Sequence, residues 1–181
     1  IETISLCNNA SRIVIASDHE SVSIWDRSSE SEEFKLFQKI TKDTSGNFDI
    51  RSCYATLDGK TILAGSCNGF VHVWKEDPDT KHFALQQEWM AHYLDCWSST
   101  LSYDKNWIVS GSFDKEIKLW RRDSSDQEFK LFQSIGSHTC AIGAIALSSD
   151  EMMIASGGNG SIFKVWNRVG EFGLALVQEL I

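Results

Sequence analysis

The chain has 181 residues, with 25 Asp and Glu against 17 Lys and Arg, and the formal net charge of −8 disfavours a phosphate backbone as the main partner. Its five cysteines, at positions 7, 53, 67, 96 and 140, form no Cys-x-x-Cys pair, which suits free thiols in the cytosol or nucleus better than a disulfide framework. No apolar run approaches the roughly 20 residues that a membrane helix needs, so no membrane span is expected.

In chain order, residues 1–6 read as a strand rather than a basic-apolar leader. Trp25 closes the first of four runs of alternating apolar and polar residues, and Trp74, Trp120 and Trp166 close the others. The last three are each 46 residues apart, the spacing of an internal repeat. The same step carries His92 to His138, Ser110 to Ser156 and Asp104 to Asp150. The first copy is tied in by Glu33-Phe34-Lys35-Leu36-Phe37-Gln38, which returns as Glu128-Phe129-Lys130-Leu131-Phe132-Gln133. Its Trp lies 49 residues before Trp74, which places a three-residue insertion in the polar stretch 41–46.

Each copy reads as four short strands. In the fourth these are 142–147, 152–156, 162–166 and 174–180. Asp58-Gly59, Asn68-Gly69 and Asn159-Gly160 predict two-residue hairpin turns at positive φ, with Asp104-Lys105-Asn106 in a similar role. The polar stretches 26–33, 75–81 and 121–128 read as exposed outer loops. Sustained helical spacing is missing, so an all-β meander is expected.

Leu101-Ser102-Tyr103-Asp104, then Ile108 through Asp114, then Ile117-Lys118-Leu119-Trp120, together with the Trp25-Asp26 end, resemble the repeat of WD-repeat β-propellers over nearly the whole chain. The resemblance implies four consecutive four-stranded blades, at 1–40, 47–89, 92–135 and 138–181, within a larger ring of about seven. It also implies a buried hydrogen-bonded tetrad. Blade three alone holds all four members, His92, Ser110, Asp114 and Trp120. Blade four keeps His138, Ser156 and Trp166, with Gly160 at the Asp place and Asn159 one position early. Blade two keeps Asn68 and Trp74 but has Gly46 and Ala64 at the His and Ser places; blade one keeps Trp25 but has Ile15 and His19 at the Ser and Asp places. Blade three is therefore expected to be the best locked.

A Ser, a His and an Asp in contact also describe a hydrolase triad, but the repeat phase, the fourth member Trp and the lack of a nucleophile elbow favour the structural reading. No catalytic residue, cofactor or metal is expected. His92 with Cys96, and His138 with Cys140, lack the four-ligand spacing of a structural zinc site. Gly157-Gly158-Asn159-Gly160 joins two strands instead of opening a helix, so it is not a phosphate loop.

Four blades form an arc with two apolar flanks, which more of the same polypeptide, a second copy completing an eight-bladed ring, or other subunits would cover. A longer polypeptide is the leading account. The resemblance implies a rigid platform for proteins or peptides, bound on the face whose loops enter the innermost strands. Repeat phase places Asp18, Asp49, Arg51, Asp95, Trp97, Phe113 and Asn159 there, flanked by Glu2 and Cys67. Aromatics beside charges are the composition of binding hot spots, although Trp97 also fits an inter-blade core. Two functions follow. One is a non-enzymatic scaffold that holds a basic or amphipathic protein segment in a larger complex. The other is an integral wall of a coat, a ciliary or cytoskeletal complex or an assembly factor, contacting its neighbours through the flanks.

Overall fold

The computed structural model describes residues 2–17, 21–41, 49–124, 127–136, 138–169 and 173–180. Asp18, His19, Gly46 and nearly all of the expected insertion lie outside these residues. The described chain forms sixteen strands and no helix. The first sheet comprises β1 (Thr3–Cys7), β2 (Arg12–Ser17), β3 (Ser21–Asp26) and β4 (Lys35–Thr41). The second comprises β5 (Ile50–Ala55), β6 (Thr61–Ser66), β7 (Phe70–Glu76) and β8 (Phe83–Met90). The third comprises β9 (Cys96–Leu101), β10 (Trp107–Ser112), β11 (Glu116–Arg121) and β12 (Lys130–Gly136), and the fourth β13 (Ile142–Leu147), β14 (Met153–Gly158), β15 (Phe163–Arg168) and β16 (Leu174–Leu180). Every sheet is an antiparallel meander in chain order, as WD-repeat blades are.

The core lies between sheets. One apolar cluster joins Val14, Ala16, Val22 and Ile24 of the first sheet to Ile50, Ile62, Trp74 and Phe83 of the second. A second cluster joins Leu63, Val71 and Val73 to Cys96, Ile108, Trp120 and Phe129, and a third joins Val109, Ile117 and Leu119 to Ile142, Ile154, Trp166 and Leu174. Strands β6 and β10 are buried at all six positions because they are covered on both faces, whereas β12 and β16 are mostly exposed. Burial also holds the Cys96 thiol protonated, pushed up to about 12.

Each sheet carries a register shift beside its Trp, between Ile24 and Trp25, Val73 and Trp74, Leu119 and Trp120, and Val165 and Trp166. The bulge leaves Gln38, Gln87, Gln133 and Gln178 paired with the residue before the Trp. Three of these amides bracket the next sheet. Gln87 Nε2 donates to Phe129 O (3.0 Å) while Phe129 N donates to Gln87 Oε1 (2.7 Å), and the same pair of bonds joins Gln38 to Phe83 and Gln133 to Leu174. Each bracket satisfies two backbone groups at the start of an outermost strand.

Two sequence expectations are corrected. The hairpins are not two-residue turns with paired positive φ. In the Asp58-Gly59 and Asn68-Gly69 turns only the glycines are left-handed (φ 66° and 78°), and Gly69 N donates to Ser66 O, closing a three-residue loop. Asp58 and Asn68 serve as side-chain acceptors instead, taking hydrogen bonds from Thr56 and Ser66. Gly160 is not left-handed at all. Nor are the outer loops fully solvated. Arg122 is buried, with Nε bonded to Lys105 O (2.8 Å) and its guanidinium 4.4 Å from the Phe129 ring, and Asp26 pairs with buried Arg12 (2.6 Å), which also binds Glu76 across the sheet boundary (2.9 Å).

Candidate interaction face

The residues chosen by phase occupy equivalent backbone sites. Cys67 N bonds Asp49 O (2.7 Å), Phe113 N bonds Asp95 O (2.9 Å) and Asn159 N bonds Ala141 O (3.2 Å). Each bond ties the turn after a second strand to the residue entering an innermost strand, so these side chains gather at one end of the sheets. Arg51 is their hub. Its guanidinium lies 3.2 Å from Asp49, 3.7 Å from Asp95 and 3.7 Å from Glu2, which joins three successive blades. Three carboxylates to one guanidinium leave the patch net negative.

Beside this hub, the Trp97 and Phe113 rings meet at 5.3 Å and a tilt of 57°, and Trp97 Nε1 donates to Asp95 Oδ2 (3.3 Å). Phe113 is 43% exposed and Trp97 half-buried. Trp97 also faces the fourth sheet, since a Cβ on Gly143 would fall 3.6 Å from its ring. Asn159 is exposed, and no hydrogen bond or ring contact ties it to the cluster among the described residues. Asp18 lies outside those residues.

A buried chain of polar groups holds the aromatic pair in place. Trp120 Nε1 donates to Ser110 Oγ (2.9 Å), Ser110 Oγ meets His92 Nε2 (2.8 Å), and His92 Nδ1 meets Asp114 Oδ2 (2.9 Å). With the proton on Nδ1, every member has a matched donor and acceptor. Partial burial works to raise the Asp114 carboxyl, yet the hydrogen bonds from His92, Glu116 N and Tyr93 N outweigh it and hold the group below the usual carboxylate range. His92 precedes Asp95 and Asp114 follows Phe113, so this one contact fixes both segments of the face. Ser110 is fully buried, and its oxygen already receives the Trp120 N–H. The four groups satisfy one another in a closed interior, as a structural lock would.

In the fourth sheet Trp166 Nε1 and His138 Nε2 both meet Ser156 Oγ at 2.8 Å, but Gly160 supplies no carboxylate. His138 Nδ1 is buried without a hydrogen-bond partner among the described residues, and so is Trp25 Nε1 in the first sheet. Sequence reasoning missed the glutamine brackets, although a phenylalanine four residues before Gln38, Gln87 and Gln133 marks them. It also missed Lys118 and Lys164, in phase and both buried, whose ammoniums pair with Glu116 (3.3 Å) and Glu179 (3.1 Å).

Among the described residues no group of three or more His, Cys, Asp or Glu comes together to hold a metal, and no helix is long and apolar enough to cross a membrane. No curated protein matches the chain. The family model for the WD domain, G-beta repeat, matches residues 38–75, 83–121 and 129–167. Each match starts on, or one residue before, the outermost strand of one sheet and ends on the third strand of the next, so the repeat unit straddles two blades. Repeats of this kind build protein-interaction scaffolds and are typically non-enzymatic. With three matches over more than half its length, the chain belongs to the WD-repeat family.

Proposed function

We propose that the chain is a non-enzymatic scaffold whose patch at Asp49, Arg51, Asp95, Trp97 and Phe113 holds a basic, amphipathic segment of another protein within a larger complex. One observation carries this reading: the Trp97–Phe113 pair, with Phe113 43% exposed, abuts a carboxylate-rich hub on a locked backbone. The aromatics supply an anchor and the carboxylates attract and orient Lys or Arg. Exposed apolar residues on the two outer sheets favour a second reading, in which the flanks make the contacts of an assembly subunit.

The readings separate by mutation. Wild type, Trp97→Ala, Phe113→Ala and Tyr103→Ala are titrated with an array of basic amphipathic peptides by fluorescence anisotropy. Tyr103 is exposed on the turn at the opposite end of the same sheet and serves as the control. At least tenfold weaker binding for the first two variants alone is the expected result. Equal binding by all four proteins would sink the face reading in favour of the flanks.

A further inference from the structure

At each internal boundary between sheets, one residue at the end of a third strand reaches the preceding sheet. Glu76, Arg122 and Arg168 hold this place at the 46-residue step. Glu76 binds Arg12 of the first sheet (2.9 Å). Arg122 donates from Nε to Lys105 O (2.8 Å) and from Nη1 to Gln86 Oε1 of the second sheet (3.4 Å). Arg168 differs. Its guanidinium lies over the Trp107 ring of the third sheet, 4.5 Å from the centroid, and its side chain makes no hydrogen bond or ion pair with a described residue.

A second cation sits on the same indole. Arg121, paired with Trp107 across β10 and β11, places its guanidinium 5.2 Å from the ring centroid. Among the described residues its ion pair is with Asp123 (3.6 Å), whose side chain is 77% exposed and so contributes little. Asp104 is close enough to feel the charge of Arg168 without bonding it. Trp107 is buried, and Phe132, 37% exposed, meets it edge-on at 5.0 Å. Two like charges therefore share one ring with roughly five N–H donors each, and none of these donates to a described residue. A compact anion that both can reach relieves their mutual repulsion.

We infer that this internal boundary binds a phosphorylated serine or threonine of a partner protein, with Arg121 and Arg168 taking the phosphate and Phe132 an apolar neighbour of the modified residue. A guanidinium fork matches two oxygens of a phosphate. With three acceptor oxygens and close to two negative charges, a phosphate suits two forks better than a carboxylate does. The formal net charge of −8 repels an extended acidic run, so the fitting segment carries one concentrated anion among neutral and apolar residues. The site is separate from the Arg51 hub, which lies at the opposite end of the sheets.

Fluorescence anisotropy tests this with a labelled peptide, Gly-Ala-phosphoserine-Phe-Ala-Gly, and its unphosphorylated twin. Wild type is expected to bind the phosphopeptide at least tenfold more tightly. Arg168→Met keeps an aliphatic stem over Trp107 without the charge and is expected to erase that preference. Lys75→Met removes the same charge from the place that matches Arg121 in the second sheet, and is expected to leave the preference intact. Nuclear magnetic resonance of wild type reads the site without a variant: the Nε–Hε signals of Arg121 and Arg168 are expected to shift on adding the phosphopeptide while that of Arg12 stays. Equal affinity for the two peptides, a preference that survives Arg168→Met or is lost equally in Lys75→Met, or unmoved Arg121 and Arg168 signals would overturn the inference. So would displacement of the peptide by an equal concentration of inorganic phosphate, which would leave a simple anion site.

Discussion

In blade three the polar chain from Trp120 through Ser110 and His92 ends on the Asp114 carboxylate; in blade four the matching chain from Trp166 through Ser156 stops at His138, whose Nδ1 is buried without a hydrogen-bond partner among the described residues. The two locks share the 2.8 Å contact between His Nε2 and Ser Oγ and differ by one side chain, Asp114 against Gly160. The consequence reaches the surface. In blade three the lock pins the segment carrying Asp95 to the turn carrying Phe113, and the aromatic pair forms beside it. In blade four the turn carrying Asn159 has no such tie, and Asn159 stays apart from the cluster. The buried polar chain and the Trp97–Phe113 contact thus share the same two segments of blade three.

Removing the imidazoles is the strongest way to break the comparison. His92→Ala leaves Ser110 and the Asp114 carboxylate each short of a partner and is expected to cost about 3 kcal/mol, whereas His138→Ala removes a half-satisfied ring and is expected to cost about 1 kcal/mol. Urea unfolding of the two variants reads the difference directly. Equal losses would mean that the carboxylate contributes nothing to the lock.

Exchanging the distinguishing residue sharpens it further. Asp114→Ala should reduce blade three to the state of blade four at a cost of about 2 kcal/mol. The converse, Gly160→Asp, needs room, because a Cβ at Gly160 falls 2.7 Å from the Cys140 sulfur. Combined with Cys140→Ala it is expected to raise stability by about 1 kcal/mol relative to Cys140→Ala alone. A loss there would show that the blade-four turn, where Ser161 is not left-handed as Lys115 is, cannot aim the carboxylate at His138.

The smallest effect is on pH. Burial, aided by Lys164 and weakly opposed by Glu179, pushes His138 below its usual imidazole value of 6.5. Between 6.5 and that lower value the unfolded chain binds more protons than the folded one, so this contribution is whole above the window and is lost as pH falls through it. The Asp114 carboxyl, held below its usual 3.8, keeps its contribution until more acidic conditions. Hydrogen exchange, corrected for intrinsic rates, should therefore show blade-four amides losing protection between pH 7 and pH 5 ahead of those around Asp114. Parallel loss in both blades would break the assignment.

How much of this was legible depended on whether a signal repeats. The Trp positions and the turn residues recur in phase, so fold class and the fourth-copy strands at 142–147 and 174–180 could be read directly, and phase alone brought Asp49, Arg51, Asp95, Trp97 and Phe113 to one end of the sheets. The turn geometry was misread because Asp-Gly and Asn-Gly suit several hairpins, and the choice rests on side-chain acceptors such as Asp58 and Asn68 that local sequence does not aim. Buried Arg12 and Arg122 were invisible for a related reason: a cation in a polar stretch reads as solvated until an aromatic and a carboxylate from the next sheet close over it.

By itself, then, the amino-acid sequence determined the number of sheets, their order and which residues recur, because hydrophobic period and turn chemistry are local properties that each copy states again. Only the tertiary structure decided which of those residues meet. The Arg51 hub joins three blades and the glutamine brackets span two. Such contacts depend on the spacing and twist of neighbouring sheets, which packing sets.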